Sequence, residues 1–406
     1  MIQTGVLPES HGETITDGAY DHYGLHLATC SSDQRIKIWA LDESTGNWSL
    51  EDEWKAHDAR ICSLSWVHPE HGSLLASSSF DCTARIWAPR DASGFTSRSG
   101  MGASMATDGS SEYRSAAQWA QTASLRDAKG SVRAVAFAPP FFGLKIATLA
   151  TDGALRLYDG HAYDNWQLRD EIDMGSPSTS STSVSATLDG VAATLAGSPI
   201  ASVASGASGS ATPGAPAPAR GGGGGRLEAD GGWAMSWCPD RWDGHGLLLA
   251  VACGRSSAVR IVHFPLITTP TKRSQAQHIL TLEREQPSPY SVTAVAWAPS
   301  LGRTHHRIAT GGRDGHVRIW KVVLPANSNE EVQTQLIADF DDHKAAVSRV
   351  EWNCTGTVLS SSGYDGRVRL WKVSFGNVWR GMGYVTGETV DVDVPDGVPE
   401  EEQDDQ

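Results

Sequence analysis

A motif repeated along the chain constrains its fold more than any other feature. It consists of an apolar run, a short turn carrying Asp, and an alternating run that ends on an aromatic residue six positions after the Asp. Five copies pair Asp33 with Trp39, Asp81 with Trp87, Asp152 with Tyr158, Asp314 with Trp320, and Asp365 with Trp371. A sixth copy carries Ser256 in place of the Asp and Val262 in place of the aromatic. Upstream of each lies another apolar run ending on an aromatic: 61–66, 132–137, 233–237, 292–297 and 347–352, with 15–20 the weakest. Trp48, Trp166 and Trp379 open a further run eight or nine residues past the aromatic position.

Four short runs per unit, alternating with period two and separated by turn residues, read as a four-stranded antiparallel sheet. One such sheet cannot bury both of its faces. Stacking copies side by side around an axis buries each face on a neighbour. The expectation is an all-β fold, a six-bladed β-propeller spanning 1–387, with blades at about 11–56, 57–126, 127–174, 231–284, 288–341 and 342–387. The aromatic ends recur about every 50 residues except at two stretches, 91–117 and 175–231, rich in Ser, Gly, Ala and Pro. Both read as disordered insertions, because neither has the apolar periodicity to fold alone. The run Arg220 to Arg226 encloses five glycines but lacks the Lys-Ser/Thr of a phosphate loop, so it reads as linker.

Charge and cysteine usage narrow the function. Between Glu388 and Gln406 there are nine acidic residues and no Lys or Arg, and this segment, 388–406, carries most of the formal net charge of −14. It reads as a solvated tail. The remainder is close to balanced, so no direct nucleic-acid contact is expected. The first residues lack a basic stretch followed by an apolar one, and no window approaches 18 consecutive apolar residues. Membrane contact is expected only through partners. The six cysteines include no C-x-x-C pair, which argues against zinc or a disulfide framework and for buried structural thiols in a reducing compartment.

The repeat resembles the WD repeat, and that resemblance gives the recurring Asp a structural role. It implies that the carboxylate accepts hydrogen bonds from turn amides and from a His ahead of the first strand: His57 for Asp81 and His343 for Asp365. The expected turn network is Asp33, Trp39, His57, Asp81, Trp87, Asp152, Asp314, Trp320, His343, Asp365 and Trp371. Five near-identical copies of an Asp beside hydroxyls is not how an active site is built. With no HExxH, GxSxG or clustered His/Cys set, the chain reads as a non-enzyme with no catalytic residue, no cofactor and no metal. His305 and His306 read as a solvated loop pair.

Closed propellers fasten the ring by letting one chain end lend a strand to the other end's blade. Here the last blade supplies four strands of its own, and only about fourteen poorly strand-forming residues precede the first. Strand edges are therefore expected at a seam between blades 1 and 6, where a foreign strand can pair.

Beyond the repeat, particular strings resemble the Seh-one type of nucleoporin, a relative of the coat protein Sec-thirteen. They include Ala28 to Gln34, Trp66 to Gly72, Leu75 to Asp81, Phe137 to Pro139 with Gly143 and Leu144, Ala298 to Arg303, and Trp352 to Leu359. Trp39, Asp152-Gly153 leading to Tyr158, and Asn165-Trp166 look closer to Seh-one than to Sec-thirteen. The two insertions and the decayed fourth copy depart from it.

The resemblance implies an open propeller completed by a blade that an α-solenoid nucleoporin donates in trans, beside other subunits of the Y-shaped outer-ring complex at the nuclear envelope. It implies a second membership in a vacuole- or lysosome-associated coat that regulates TOR signalling. The partner-binding residues it implies at the seam are Ile15, Thr16, Ala19, Tyr20, Val347, Ser348, Val350 and Trp352. The rival reading within this resemblance is a Sec-thirteen-like subunit of the COPII vesicle coat.

Overall fold

The structure is a computed structural model that describes residues 7, 10–90, 119–175, 231–240, 246–265, 276–324 and 332–386. The two insertions, apart from their edges at Gly175 and Gly231, lie outside the described residues, as do the Arg220–Arg226 run and the acidic tail. The fold is a six-bladed β-propeller. Blade 1 comprises β1 (Ile15–Tyr20), β2 (His26–Ser31), β3 (Arg35–Leu41) and β4 (Trp48–Lys55). Blade 2 comprises β5 (Ile61–Trp66), β6 (Leu75–Ser79), β7 (Ala84–Pro89) and β8 (Trp119–Leu125). Blade 3 comprises β9 (Val132–Phe137), β10 (Lys145–Ala150), β11 (Ala154–Gly160) and β12 (Trp166–Asp173). Blade 4 comprises β13 (Gly232–Trp237), β14 (Leu247–Gly254), β15 (Val259–Phe264) and β16 (Gln277–Leu282). Blade 5 comprises β17 (Val292–Trp297), β18 (His306–Gly312), β19 (Val317–Val323) and β20 (Gln333–Phe340). Blade 6 comprises β21 (Val347–Trp352), β22 (Val358–Gly363), β23 (Arg367–Val373) and β24 (Trp379–Thr386).

Each sheet is a meander in which four consecutive strands pair antiparallel. The turn between the second and third strand repeats one device. The Asp carboxylate accepts the backbone N–H two residues on: Asp33 from Arg35, Asp81 from Thr83, Asp152 from Ala154, Asp314 from His316, Asp365 from Arg367. This local bond satisfies a donor that the sheet ladder leaves over. In blade 4 the Ser256 hydroxyl does the same for Ala258 at 3.1 Å, so the decayed copy keeps its turn. The residue after the Asp sits at positive φ. Gly fills it in blades 3, 5 and 6, while Gln34 (71°) and Cys82 (64°) adopt it in blades 1 and 2.

The core lies between blades. Ile36 and Ile38 of blade 1 pack with Leu75 and Trp87 of blade 2, and Ile86 of blade 2 packs with Val135 and Tyr158 of blade 3. Leu155 and Leu157 meet Trp233 and Leu249, Ile261 meets Trp297 and Trp320, and Ile319 meets Leu359 and Trp371. Each blade turns one face to its predecessor and the other to its successor, as period-two alternation requires. Tryptophans from the ends of three inner strands reach back to the preceding blade. Trp66 Nε1 donates to the Ala19 carbonyl (2.9 Å), Trp237 to Ala136 (3.2 Å) and Trp352 to Ala296 (3.1 Å). No described helix is long and apolar enough to cross a membrane.

Candidate partner-binding seam

Three blades hold their turn by a four-residue relay. In blade 2 the Trp87 indole donates to the Ser77 hydroxyl (2.9 Å), the hydroxyl meets His57 Nε2 (2.7 Å), and His57 Nδ1 meets Asp81 (2.8 Å). Blade 6 repeats it through Trp371, Ser361, His343 and Asp365. Blade 1 repeats it through Trp39, Thr29, His11 and Asp33. The arrangement suits a neutral imidazole that donates from Nδ1 and accepts at Nε2. Burial above all lowers the His57 pKa, even though Asp81 pulls the other way. For Asp81, burial would raise the pKa, but the hydrogen bonds from His57 and Thr83 hold it well below the usual carboxylate range.

The sequence reading omitted His11. It stands 22 residues before Asp33, the same interval that separates His343 from Asp365, so spacing alone could have found it. In blades 3 and 5 the arginine four residues after the Asp, which also meets the Asp in blades 2 and 6, holds it without a His. Arg156 holds Asp152 (2.7 Å) and Arg318 holds Asp314 (2.6 Å). The Tyr158 hydroxyl donates to Asp127, and the Trp320 indole donates to Thr310. These groups are tied to one another within their blades.

The seam differs in kind. Blade 6 turns toward blade 1 a face built from Arg349, Ser362 and Val368 in one register row and Glu351, Ser360 and Leu370 in the next. In blade 5 the same two rows are Ala294, Gly311 and Val317, then Ala296, Ala309 and Ile319, covered by blade 6. Val368 is 41% exposed where Val317 is fully buried. Among the described residues no buried apolar cluster joins blade 6 to blade 1. An Arg349–Asp17 ion pair bridges them at the inner edge, and Asp17 also accepts the Leu64 N–H of blade 2 (2.9 Å). On the blade 1 side, Tyr20 stands at the strand position that Trp237 and Trp297 fill elsewhere. It is 58% exposed and rests on Trp48 (centroids 5.8 Å).

The eight seam residues expected from the resemblance separate by strand alternation. Ile15, Tyr20 and Ser348 are exposed, and Ser348 hydrogen bonds to Ser362. Thr16 is half-buried and bonds to Cys30. Ala19 packs into the core between blades 1 and 2. Val347 and Val350 are buried between blades 5 and 6, and Trp352 packs on that same core. The reading took both faces of each inner strand, whereas one strand presents only every second side chain to one face. Arg349, Val368 and Leu370, on the seam-side face, were not in it.

Two further differences concern thiols and histidines. Cys30 and Cys238 are buried, Cys62, Cys82 and Cys253 are half-buried, and Cys354 is exposed, so buried thiols are two of the six. His306 opens β18 instead of lying in a solvated loop, and its ring packs edge-on to Trp297. It lies 3.9 Å from Cys238, 68 positions away along the chain.

A model of the WD domain, G-beta repeat family matches residues 3–40, 48–88, 278–321 and 334–372. The chain is 31% identical to nucleoporin SEH1 of Saccharomyces cerevisiae over 93% of its own length and 98% of the relative's. It is 29% identical to nucleoporin SEH1 of Homo sapiens over 95% of the chain and 89% of that protein. Nucleoporin SEH1-A of Xenopus laevis matches at 29% over 96% and 89%.

Proposed function

Because the chain belongs to the SEH1 nucleoporin family, we propose that it is a non-enzymatic scaffold subunit of the nuclear pore whose binding site is the seam between blades 6 and 1. The occupant is a blade donated in trans by an α-solenoid nucleoporin of the outer-ring complex. One observation carries this reading: among the described residues, each blade is joined to the next by a buried apolar core except the last to the first. Sheet faces and edges left without a neighbour are sites for strand addition. The exposed Val368, half-buried Leu370 and the Tyr20–Trp48 pair supply apolar anchors, and Arg349, Glu351, Ser360 and Ser362 supply a polar surround. Apolar anchors ringed by polar groups are the anatomy of a specific interface.

Tagging the full chain and identifying the stoichiometric co-purifying solenoid tests the proposal. An outer-ring nucleoporin that is lost on Val368→Glu, with the fold intact, supports it. A COPII subunit as the sole stoichiometric solenoid overturns the nuclear-pore assignment. Retention of the solenoid by every seam variant overturns the site. The second membership, in a vacuole- or lysosome-associated coat regulating TOR signalling, uses the same seam in this reading. It predicts that coat subunits are lost with the same variants.

A further inference from the structure

The structure brings together three groups that no sequence spacing connects. Cys238 follows β13 of blade 4, Asp240 lies two residues on, and His306 opens β18 of blade 5. Cys238 Sγ and His306 Nδ1 are 3.9 Å apart, and Asp240 Oδ2 and His306 Nδ1 are also 3.9 Å apart. All three ligand atoms lie within 4.8 Å of one another. A tetrahedral zinc ion, with Zn–S near 2.3 Å and Zn–N or Zn–O near 2.0–2.1 Å, has ligand–ligand edges of roughly 3.3–3.6 Å. The observed separations exceed two of these edges by only a few tenths of an ångström, within the reach of side-chain rotation.

The orientation discriminates between two chemistries. A Cys–His–Asp nucleophile needs the thiol on one ring nitrogen and the carboxylate on the other. Here both face Nδ1, as ligands converging on a point do. Nδ1 also accepts a long bond from the Trp297 indole (3.4 Å), a contact that ligation at Nδ1 would displace. The Ser300 N–H donates to Asp240 Oδ2 (3.0 Å) and orients that carboxylate, a common outer-shell arrangement. Cys238 is buried and Asp240 is 29% exposed, so one side opens to solvent for entry and for a water as fourth ligand.

We propose that Cys238, Asp240 and His306 form a three-ligand site for a divalent transition metal of the zinc class, bracing blade 4 against blade 5. Blade 4 is the blade without the Asp and the aromatic of the repeat, so a cross-brace there replaces a fastening that the other blades hold internally.

Cobalt(II), which reports thiolate ligation by a near-ultraviolet charge-transfer band, tests the site on the metal-stripped full chain. One equivalent should give that band with tetrahedral visible absorption, and zinc should bleach it. Cys238→Ser should abolish the band, His306→Gln and Asp240→Asn should weaken binding by about tenfold or more, and Cys354→Ser, at the exposed thiol, should leave it unchanged. Asp240→Asn is nearly isosteric and keeps the test open if the Cys238 variant fails to fold. In that variant zinc should no longer raise the thermal midpoint that it raises in the parent chain. An octahedral cobalt spectrum without the charge-transfer band, a band that survives Cys238→Ser, or one that disappears with Cys354→Ser would overturn the proposal.

Discussion

The successor-facing sides of blades 5 and 6 use the same register positions for opposite ends. In blade 5 the two rows are alanines, a glycine and two β-branched aliphatics, small enough for blade 6 to close on them and leave a dry core. In blade 6 the alanines become Arg349, Glu351 and Ser360, and the glycine becomes Ser362, while Val368 and Leu370 keep aliphatic bulk. A charged side chain at a position that a neighbouring blade must cover costs several kcal/mol unless it is paired. The substitution pattern therefore marks blade 6 as the end of the continuous stack. Blade 6 nevertheless keeps the hydrogen-bonded turn of a covered blade, since its Trp371–Ser361–His343–Asp365 relay matches the one in blade 2. Folding of a blade and stacking of a blade are thus separable properties in this chain.

The largest test of that contrast is a matched pair of truncations at one register position. Ile319→Ala should cost about 2–5 kcal/mol in denaturant unfolding, because it opens a cavity in a closed core. Leu370→Ala, its counterpart on the seam face, should cost about 1 kcal/mol or less in the isolated chain. Equal losses would mean that the seam is packed like the other interfaces. Partner binding should reverse the ranking: Leu370→Ala or Val368→Glu should weaken the solenoid complex by about 2 kcal/mol or more in titration calorimetry, the scale of a central interface anchor. An affinity unchanged by both would remove the seam as the docking face.

The Arg349–Asp17 pair is a smaller lever. Arg349 is 47% exposed, so a double-mutant cycle with Arg349→Ala and Asp17→Asn should return a coupling of about 1 kcal/mol or less. Hydrogen exchange should nevertheless quicken at the inner strands β1 and β21 and stay unchanged at β13. Uniform exchange would show that the pair does not hold the first and last blades together.

Acid provides the smallest and most selective test, through the relay that filled and open blades share. The His57 pKa is lowered in the fold from its ordinary 6.5, so the unfolded chain takes up the proton first. Its contribution is therefore complete above pH 6.5 and is lost as pH falls from there toward its folded value. Asp81, Asp152, Asp314 and Asp365 are all depressed below 3.8, so their contribution persists to lower pH and fades only below about that value. Between pH 7 and 5 the thermal midpoint should drop modestly, and His57→Gln should flatten that drop. A drop of the same size in the variant would assign it to other groups.

Much of the fold was legible because the repeat writes its structure locally. An Asp two residues ahead of an amide, an aromatic six residues on, and alternation between them specify turn, strand and buried face from short-range physics alone. The relay histidines were legible too, and the 22-residue interval that fits His343 also fits His11. The seam was legible as a place but not as a set of side chains. Which of two adjacent residues faces the gap depends on small register shifts, such as the one between Val347 and Arg349, that no periodicity in a six-residue strand resolves.

By itself the sequence determined the number of blades and the tight turn of each repeat, since both are set by residues close together in the chain. Only the tertiary structure decided that Arg349, Val368 and Leu370 line the open face, and that Cys238, Asp240 and His306 converge between blades 4 and 5. The physical reason is the same in both cases. These residues meet through the packing of one blade against the next, and that geometry depends on the face each side chain takes and on contacts across long sequence distances.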